Sequence, residues 1–326
     1  MTDDGKLRWG ILGTGMIARK FAADLPHSET GALAATGSRA LESAAAFARE
    51  FGGRALESHD APLADPEVEA VYLSLPNGLH HEWTIRALRA GKHVLCEKPL
   101  ARNAAEAEEM FAVAAETGRV LIEAFMYRAH PTVERLLTEI RAGAIGRPRL
   151  MRSNFTFARA VSPDDARYRP EQAGGSLMDV GCYCVHLARQ VAGAEPVETH
   201  AVADLHPLGV DQCAAGALKF ADGFLATFTC GMTVASQPGT FIAGDTGRIE
   251  IDAFWFGQDG FSLTRNGETE RVPPPETRPL YALEADAFAR AVRGEAPPWI
   301  APEDSLGNLR ALDALRRSAG VPVPGE

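Results

Sequence analysis

The run Gly13-Thr14-Gly15-Met16-Ile17-Ala18 directly follows an apolar stretch, Leu7 to Leu12, and opens a helical pattern, Met16 to Asp24, that stops before Pro26. A GxGxxA hexamer alone is a weak signal, but between a strand and a helix it prescribes a particular turn. Gly13 permits the tight bend, Gly15 lets the main chain approach a pyrophosphate, and small Ala18 lets helix and strand pack closely. The helix N-terminus then aims its unsatisfied N–H groups at the phosphates. Thr14, Met16 and Ile17 complete the candidate phosphate-binding turn. The first half of the chain is therefore expected to be a dinucleotide-binding domain.

The pattern that follows supports this. Ala32 to Gly37, Val68 to Leu75, His93 to Cys96 and Val120 to Glu123 read as strands. Between them lie helical stretches, Ala40 to Phe51, Leu79 to Ala90 and Asn103 to Thr117, each closed by glycine. In the first of these, Leu41, Ala44, Ala45, Ala48 and Phe51 are expected to form the apolar face. Strands alternating with helices predict βαβ units and a doubly wound parallel sheet over residues 1–126. At the end of the second strand, Ser38-Arg39 stands where an NAD-binding chain has a carboxylate for the ribose 2′-hydroxyl. A hydroxyl and a guanidinium suit a 2′-phosphate instead, so NADP(H) is favoured over NAD(H).

After Tyr127 the pattern changes. A helix, Pro131 to Arg141, is followed by strand-like stretches at Arg149 to Phe157, Val197 to Leu205, Asp211 to Phe220, Phe224 to Cys230 and Arg248 to Ile251. Asp222-Gly223 predicts a hairpin between two of them. Pro273 to Pro275 reads as a loop, and Leu280 to Val292 and Pro302 to Ser318 as late helices. Residues 127–326 are thus expected to form an α+β domain with a mostly antiparallel open sheet, which binds substrate and mediates oligomerisation.

Composition narrows the class. The formal net charge is -10 with no basic cluster, which argues against a nucleic-acid partner. The polar start, Met1 to Lys6, lacks the apolar core of a signal peptide, and no apolar run is long enough for a membrane span. Cys96, Cys182, Cys184, Cys213 and Cys230 form neither a disulfide framework nor a metal-ligand pattern, so free thiols in a reducing cytoplasm are expected, with no metal.

Four further segments narrow the reading. They are Ser74 to His80 (SLPNGLH), Cys96-Glu97-Lys98-Pro99, Glu123 to Arg128 (EAFMYR), and Gly174 to Tyr183 (GGSLMDVGCY). Together they resemble the glucose–fructose oxidoreductase / inositol dehydrogenase (Gfo/Idh/MocA) family over nearly the whole chain. The resemblance is closest to its dimeric dihydrodiol dehydrogenase and NADP-dependent D-xylose 1-dehydrogenase subgroup. It implies hydride transfer between the nicotinamide and a carbinol or carbonyl carbon of a sugar, polyol or cyclic diol, in a homodimer or homotetramer. It places Tyr183 at the proton-transfer position, which another branch fills with histidine, and makes Lys98 and Asp179 its catalytic companions.

The residues themselves allow these roles. Lys98 leaves the carboxyl end of a parallel strand, where open α/β sheets bind ligands. Tyrosine titrates near 10 and needs a nearby cation to serve as a base, and Lys98 is the candidate. Asp179 precedes Tyr183 by four positions and shares its face if the segment is helical. Leu75, Pro76, Asn77, His80, Glu97 and Arg128 are further candidates for the cofactor site. His186 is a competing base, and Arg159, Arg167 and Arg169 could meet an anionic or hydroxylated ligand or face solvent. A sugar 3-ketoreductase of a biosynthetic pathway, a redox-assisted lyase and a non-catalytic dinucleotide sensor stay open as alternatives.

Overall fold

The structure is a computed structural model that describes residues 5–236, 238–252, 255 and 259–326. Most of the polar N-terminus, residues 1–4, lies outside the described residues. The chain forms two compact units, one of Met1–Ala101, Ala105–Ala129 and Arg278–Ser305, the other of Arg102–Ala104, His130–Thr277 and Leu306–Glu326.

In the first unit, β1 (Leu7–Leu12), β2 (Gly31–Ser38), β3 (Arg54–Glu57), β4 (Ala70–Leu73), β5 (His93–Glu97) and β6 (Leu121–Ala124) make a six-stranded sheet in the order β3-β2-β1-β4-β5-β6. Every pairing in it is parallel. The connecting helices are α1 (Met16–Asp24), α2 (Leu41–Phe51), the single turn α3 (Ala61–Ala64), α4 (His80–Arg89) and α5 (Ala104–Thr117). A parallel sheet covered on both faces needs continuously apolar central strands. Trp9, Ile11 and Leu12 of β1 and all four residues of β4 are accordingly buried. The expectation of a doubly wound parallel sheet holds. Strand β3 was not anticipated, because its four residues are only partly covered and carry charge at both ends. The face of α2 is also corrected. Ala44 and Phe47 point inward while Leu41 is exposed, since the helix seats Phe47 against the sheet with Phe51 beside it.

In the second unit, β7 (Pro148–Thr156), β8 (Pro196–Leu205), β9 (Asp211–Phe220), β10 (Leu225–Gly231), β11 (Gly239–Gly244), β12 (Gly247–Asp252), β13 (Phe261–Arg265) and β14 (Glu268–Val272) form an eight-stranded sheet. Its order is β14-β13-β12-β11-β7-β10-β9-β8. All neighbours are antiparallel except β7 and β10. The unit also contains α6 (Pro131–Arg141) and α7 (Cys182–Ala192). The Asp222-Gly223 hairpin forms as expected, with Gly223 at φ 87° and the Asp222 carboxylate accepting from Phe224 N at 3.0 Å. Strands β11, β13 and β14 escaped the sequence reading. The turn between the last two is Asn266-Gly267 with φ of 53° and 81°, a hairpin signature flanked by a strand too polar to alternate.

Helix α8 (Leu280–Val292) returns the chain to the first unit, whereas α9 (Pro302–Ser318) runs from Ser305 into the residues of the second. The sequence-drawn division at 126/127 cuts the chain only once. The contacts bring it back because α8 completes the first unit's aromatic core. Phe288 lies 5.0 Å from Trp9, and Phe21 stacks on Tyr72 at 3.9 Å with Tyr281 edge-on to it. Asp286 anchors the helix by accepting from Ser28 Oγ (2.6 Å), Thr30 N (3.0 Å) and Thr30 Oγ1 (2.7 Å), and it pairs with Arg278 at 3.0 Å. No helix among the described residues is long and apolar enough to cross a membrane. Removing a buried, bonded carboxylate leaves the Ser28 and Thr30 donors without their acceptor, so Asp286→Ala is expected to cost about 3 kcal/mol of stability. Urea unfolding followed by tryptophan fluorescence checks this, and an unchanged midpoint contradicts it.

Candidate active site

The loops after β1, β2, β4 and β5 open at the carboxyl edge of the parallel sheet, and each carries candidate residues. After β1, Gly13 turns at φ 101° and donates to Gly37 O at 3.0 Å. A Cβ there would meet Leu75 Cδ2 at 3.2 Å, so the turn and the loop after β4 lie against each other. Gly15 is the N-cap of α1, and a Cβ on it would meet nothing within 4 Å. The first turn of α1 holds no acidic residue, and Met16 is 52% exposed at its tip. Thr14 and Ile17 are half-buried beside it. A helix N-terminus with open approach and no competing carboxylate fits a bound pyrophosphate.

At the end of β2, Ser38 is buried and its hydroxyl accepts from Ala40 N at 3.4 Å. Arg39 is exposed. The charge of Arg39 also bears on His59, which the sequence reading did not single out. Burial and then Arg39 push the His59 pKa down, and its ring meets Trp83 edge-on at 5.2 Å.

After β4, Leu75 is buried, Pro76 exposed and Asn77 half-buried. His80 is fully buried, with Nδ1 2.9 Å from Pro99 O and Nε2 2.8 Å from Leu75 O. Burial lowers its pKa, and the Lys98 charge acts in the same direction. Its ring thus joins the loop after β4 to the loop after β5, with both nitrogens turned to main-chain carbonyls. Glu97 also faces inward. Tyr72 OH donates to its Oε1, and Lys98 N donates to Oε2 at 3.3 Å. Lys98 itself is half-buried. Beyond β6, the Arg128 guanidinium buries Nε and Nη1 with no hydrogen-bond partner. A buried cationic donor without a partner points to a missing acceptor.

In the second unit, the GGSLMDVGCY segment forms a wide π-helical turn, Leu177–Gly181, that continues into α7. Asp179 and Tyr183 therefore lie four positions apart on helical backbone. The Asp179 carboxylate accepts from Arg167 Nε at 2.8 Å. Arg167 also pairs with Asp165 at 3.2 Å, Arg159 faces Asp165 at 3.6 Å and Arg169 faces Asp164 at 3.5 Å. Each arginine of this loop thus stands beside an aspartate, an arrangement that spacing alone did not disclose. Tyr183 meets two stacked aromatic rings edge-on, Phe155 at 5.2 Å and Trp255 at 5.6 Å, while Phe155 and Trp255 face each other at 5.6 Å, parallel to within 5°. Trp255 was not singled out in the sequence, because it sits outside any strand or helix pattern. His186 is fully buried in α7.

Two family models match the two parts of the chain. Residues 7–125 match the oxidoreductase family model with an NAD-binding Rossmann fold, and residues 133–250 match the Gfo/Idh/MocA C-terminal domain model. The chain belongs to the Gfo/Idh/MocA oxidoreductase family. Among similar members of the family is the D-xylose 1-dehydrogenase (NADP(+)) 2 of Haloferax volcanii, 35% identical over 96% of this chain and 97% of its own. The trans-1,2-dihydrobenzene-1,2-diol dehydrogenase of Mus musculus is 35% identical over 98% of each chain. A 3-ketoreductase from Actinomadura kijaniata, solved in complex with NADP and TDP-benzene, superposes with a TM-score of 0.88 at 33% identity, over 96% of this chain and 98% of that one. The expected family membership is therefore established.

The open approach at Gly15 gives a clear test of the glycine turn. Gly15→Val places a branched side chain where no protein atom stands, at an ordinary φ of -69°. Folding is expected to be preserved and binding of a nicotinamide dinucleotide lost. Thermal unfolding with a fluorescence titration of the reduced cofactor separates the two effects, and unaltered cofactor affinity contradicts the assignment.

Proposed function

We propose that the chain is an NADP(H)-dependent oxidoreductase that interconverts a carbinol and a carbonyl on an uncharged sugar, polyol or cyclic diol. The observation that carries this reading is the surroundings of Tyr183: a phenol edge-on to the stacked Phe155 and Trp255 rings, with a carboxylate four residues earlier. The stacked rings fix an apolar surrounding for the phenol, and the polar groups suit the hydroxyls of a sugar or diol.

The first unit supplies the dinucleotide site. Gly13, Thr14, Gly15, Met16 and Ile17 hold the pyrophosphate, and Ser38 and Arg39 receive the ribose 2′-phosphate. Leu75, Pro76 and Asn77 line the nicotinamide side, and Arg128 offers its unpaired guanidinium to the cofactor. His80 and Glu97 act indirectly, the first through the carbonyls of Leu75 and Pro99, the second through Lys98 N. When bound, the nicotinamide accepts or returns a hydride at its C4. Lys98 holds the substrate hydroxyl, Tyr183 transfers its proton, and Asp179, held by Arg167, orients the substrate. Proton transfer by such a group contributes about 100- to 10,000-fold.

The NADP(H) preference and the uncharged substrate rest on charge. A carboxylate at the end of β2 would repel a 2′-phosphate, and Ser38-Arg39 stands there instead. In the loop near Asp179, Arg159, Arg167 and Arg169 are matched by Asp164 and Asp165 as well as Asp179 itself. That balance favours a neutral ligand over a nucleotide sugar and makes the 3-ketoreductase reading second. Cysteine usage supports a reducing, cytoplasmic setting.

The outer face of the eight-stranded sheet supports a homodimer, with a homotetramer as the larger form. Across it run His200, Ala217, Thr227, Arg152, Phe241 and Glu250 in register. Small residues in the middle leave a trough of roughly 910 Å³, and Val202 and Leu225 are exposed apolar groups on the same unit. Such a surface suits isologous pairing with a second copy. Sedimentation of the wild type against Thr227→Arg is expected to show a dimer that the variant loses, and a monomeric wild type contradicts this.

Activity is tested with D-xylose and trans-1,2-dihydrobenzene-1,2-diol and either NADP+ or NAD+, read at the reduced-nicotinamide band. Tyr183→Phe and Lys98→Ala are expected to bind the cofactor normally and lose about 100-fold or more in turnover. Arg39→Ala is expected to lose about tenfold in NADP+ affinity, with NAD+ affinity unaltered. Full turnover by Tyr183→Phe moves the proton-transfer role to His186.

A further inference from the structure

Asp211, at the start of β9, is fully buried and lies far in sequence from the segment that carries Asp179 and Tyr183. Its Oδ2 nevertheless accepts from Leu177 N at 2.7 Å and from Ser176 Oγ at 2.7 Å. Leu177 is the first residue of the π-helical turn, and Ser176, the N-cap, makes no capping bond of its own. A carboxylate borrowed from β9 thus caps the helix on which the proposed catalytic pair is built. It places a negative charge at the positive end of that helix.

The cap is also locked sterically. Gly175 sits at φ 110°, and a Cβ on it would overlap Asp211 Oδ1. Gly174 has the same relation to the carbonyl of Arg167, whose oxygen accepts from Gly175 N at 2.9 Å. The paired glycines therefore let the helix start lie directly against Asp211 on one side and the Arg167 loop on the other. Asp179 N closes the turn by donating to Gly175 O at 3.0 Å.

We propose that Asp211 is a positioning residue: its carboxylate fixes the start of the Leu177–Ala192 helix and thereby sets where Asp179 and Tyr183 point. This deepens the functional reading above and rests on it for the meaning of Tyr183. The other titratable groups around Asp211 are Cys230 on β10, Cys213 on β9 and Arg316 on α9. Burial holds both thiols in the neutral form, and the Arg316 charge favours the carboxylate. Burial of Asp211 itself outweighs its hydrogen bonds and pushes it up to about 6, so the cap is anionic at neutral pH and neutral in mildly acid solution.

The test needs no substrate. The chain has five tyrosines, so a 13C-tyrosine-labelled protein gives a short spectrum in which Tyr183→Phe identifies the Tyr183 signal. That signal is expected to shift with pH around a midpoint near 6 in the wild type. In Asp211→Asn the inflection is expected to vanish. In Ser176→Ala it is expected to move to higher pH, because the serine hydroxyl favours the carboxylate. Ser176→Ala keeps the inference testable if Asp211→Asn does not fold. A Tyr183 signal that shows no titration on the acid side of neutrality, or an inflection unmoved in both variants, overturns it. In parallel, turnover of D-xylose by Asp211→Asn is expected to fall about 10- to 100-fold, as for a displaced catalytic group, with cofactor affinity unchanged. If no sugar or diol is turned over by the wild type, the functional reading fails while the tyrosine titration still decides the role of Asp211.

Discussion

Every strand of a parallel sheet ends on the same edge, and that constraint organises the first unit. Four strands, β1, β2, β4 and β5, deliver the glycine turn, Ser38-Arg39, Leu75 to Asn77 and Glu97-Lys98 to one side of the sheet. The order reverses direction at β1 and β4, which places the glycine turn beside the loop after β4 at the switch point. Short polar links then hold these loops in relation to one another. Gly13 N reaches Gly37 O, Ser74 Oγ reaches Leu12 O at 3.0 Å, and His80 spans Leu75 O and Pro99 O.

The second unit solves a different problem. Its sheet is mostly antiparallel, so no common edge gathers its functional groups. Asp179 and Tyr183 depend instead on how one helix begins, and buried or half-buried charges decide that. Asp211 holds the helix start, Arg167 holds Asp179, and two glycines admit both neighbours at close range. Buried polar contacts of this kind are costly when incomplete and well defined when complete, which gives the start of this helix a single geometry.

Much of the fold was legible because the strongest patterns are local. The strand-turn-helix at Gly13, the glycine-closed helices and the Asp222-Gly223 hairpin each follow from the conformational freedom of a few adjacent residues. Short polar edge elements were not legible. Strand β3 has four residues, and β14 is exposed along nearly all its length, so neither carries an apolar alternation. In α2 the sequence reading placed exposed Leu41 inward and missed buried Phe47, because alanines give nearly equal weight to two neighbouring stripes. In the candidate site, Lys98, Asp179 and Tyr183 were legible as motif members, but the contacts of Asp179 with Arg167 and of Tyr183 with Trp255 were not.

The sequence by itself determined a dinucleotide-type turn, a parallel first sheet, a mostly antiparallel second sheet and family membership. These depend on backbone conformation and on the periodicity of burial, which neighbouring residues encode. Only the tertiary structure decided that helix α8 completes the first unit, that His80 and Glu97 face the protein interior, and that a carboxylate from β9 caps the helix bearing Tyr183. Those outcomes depend on partners far apart in the chain. Hydrogen bonds and ion pairs act over a few ångströms in space, and no spacing along the sequence reports which distant groups will come that close.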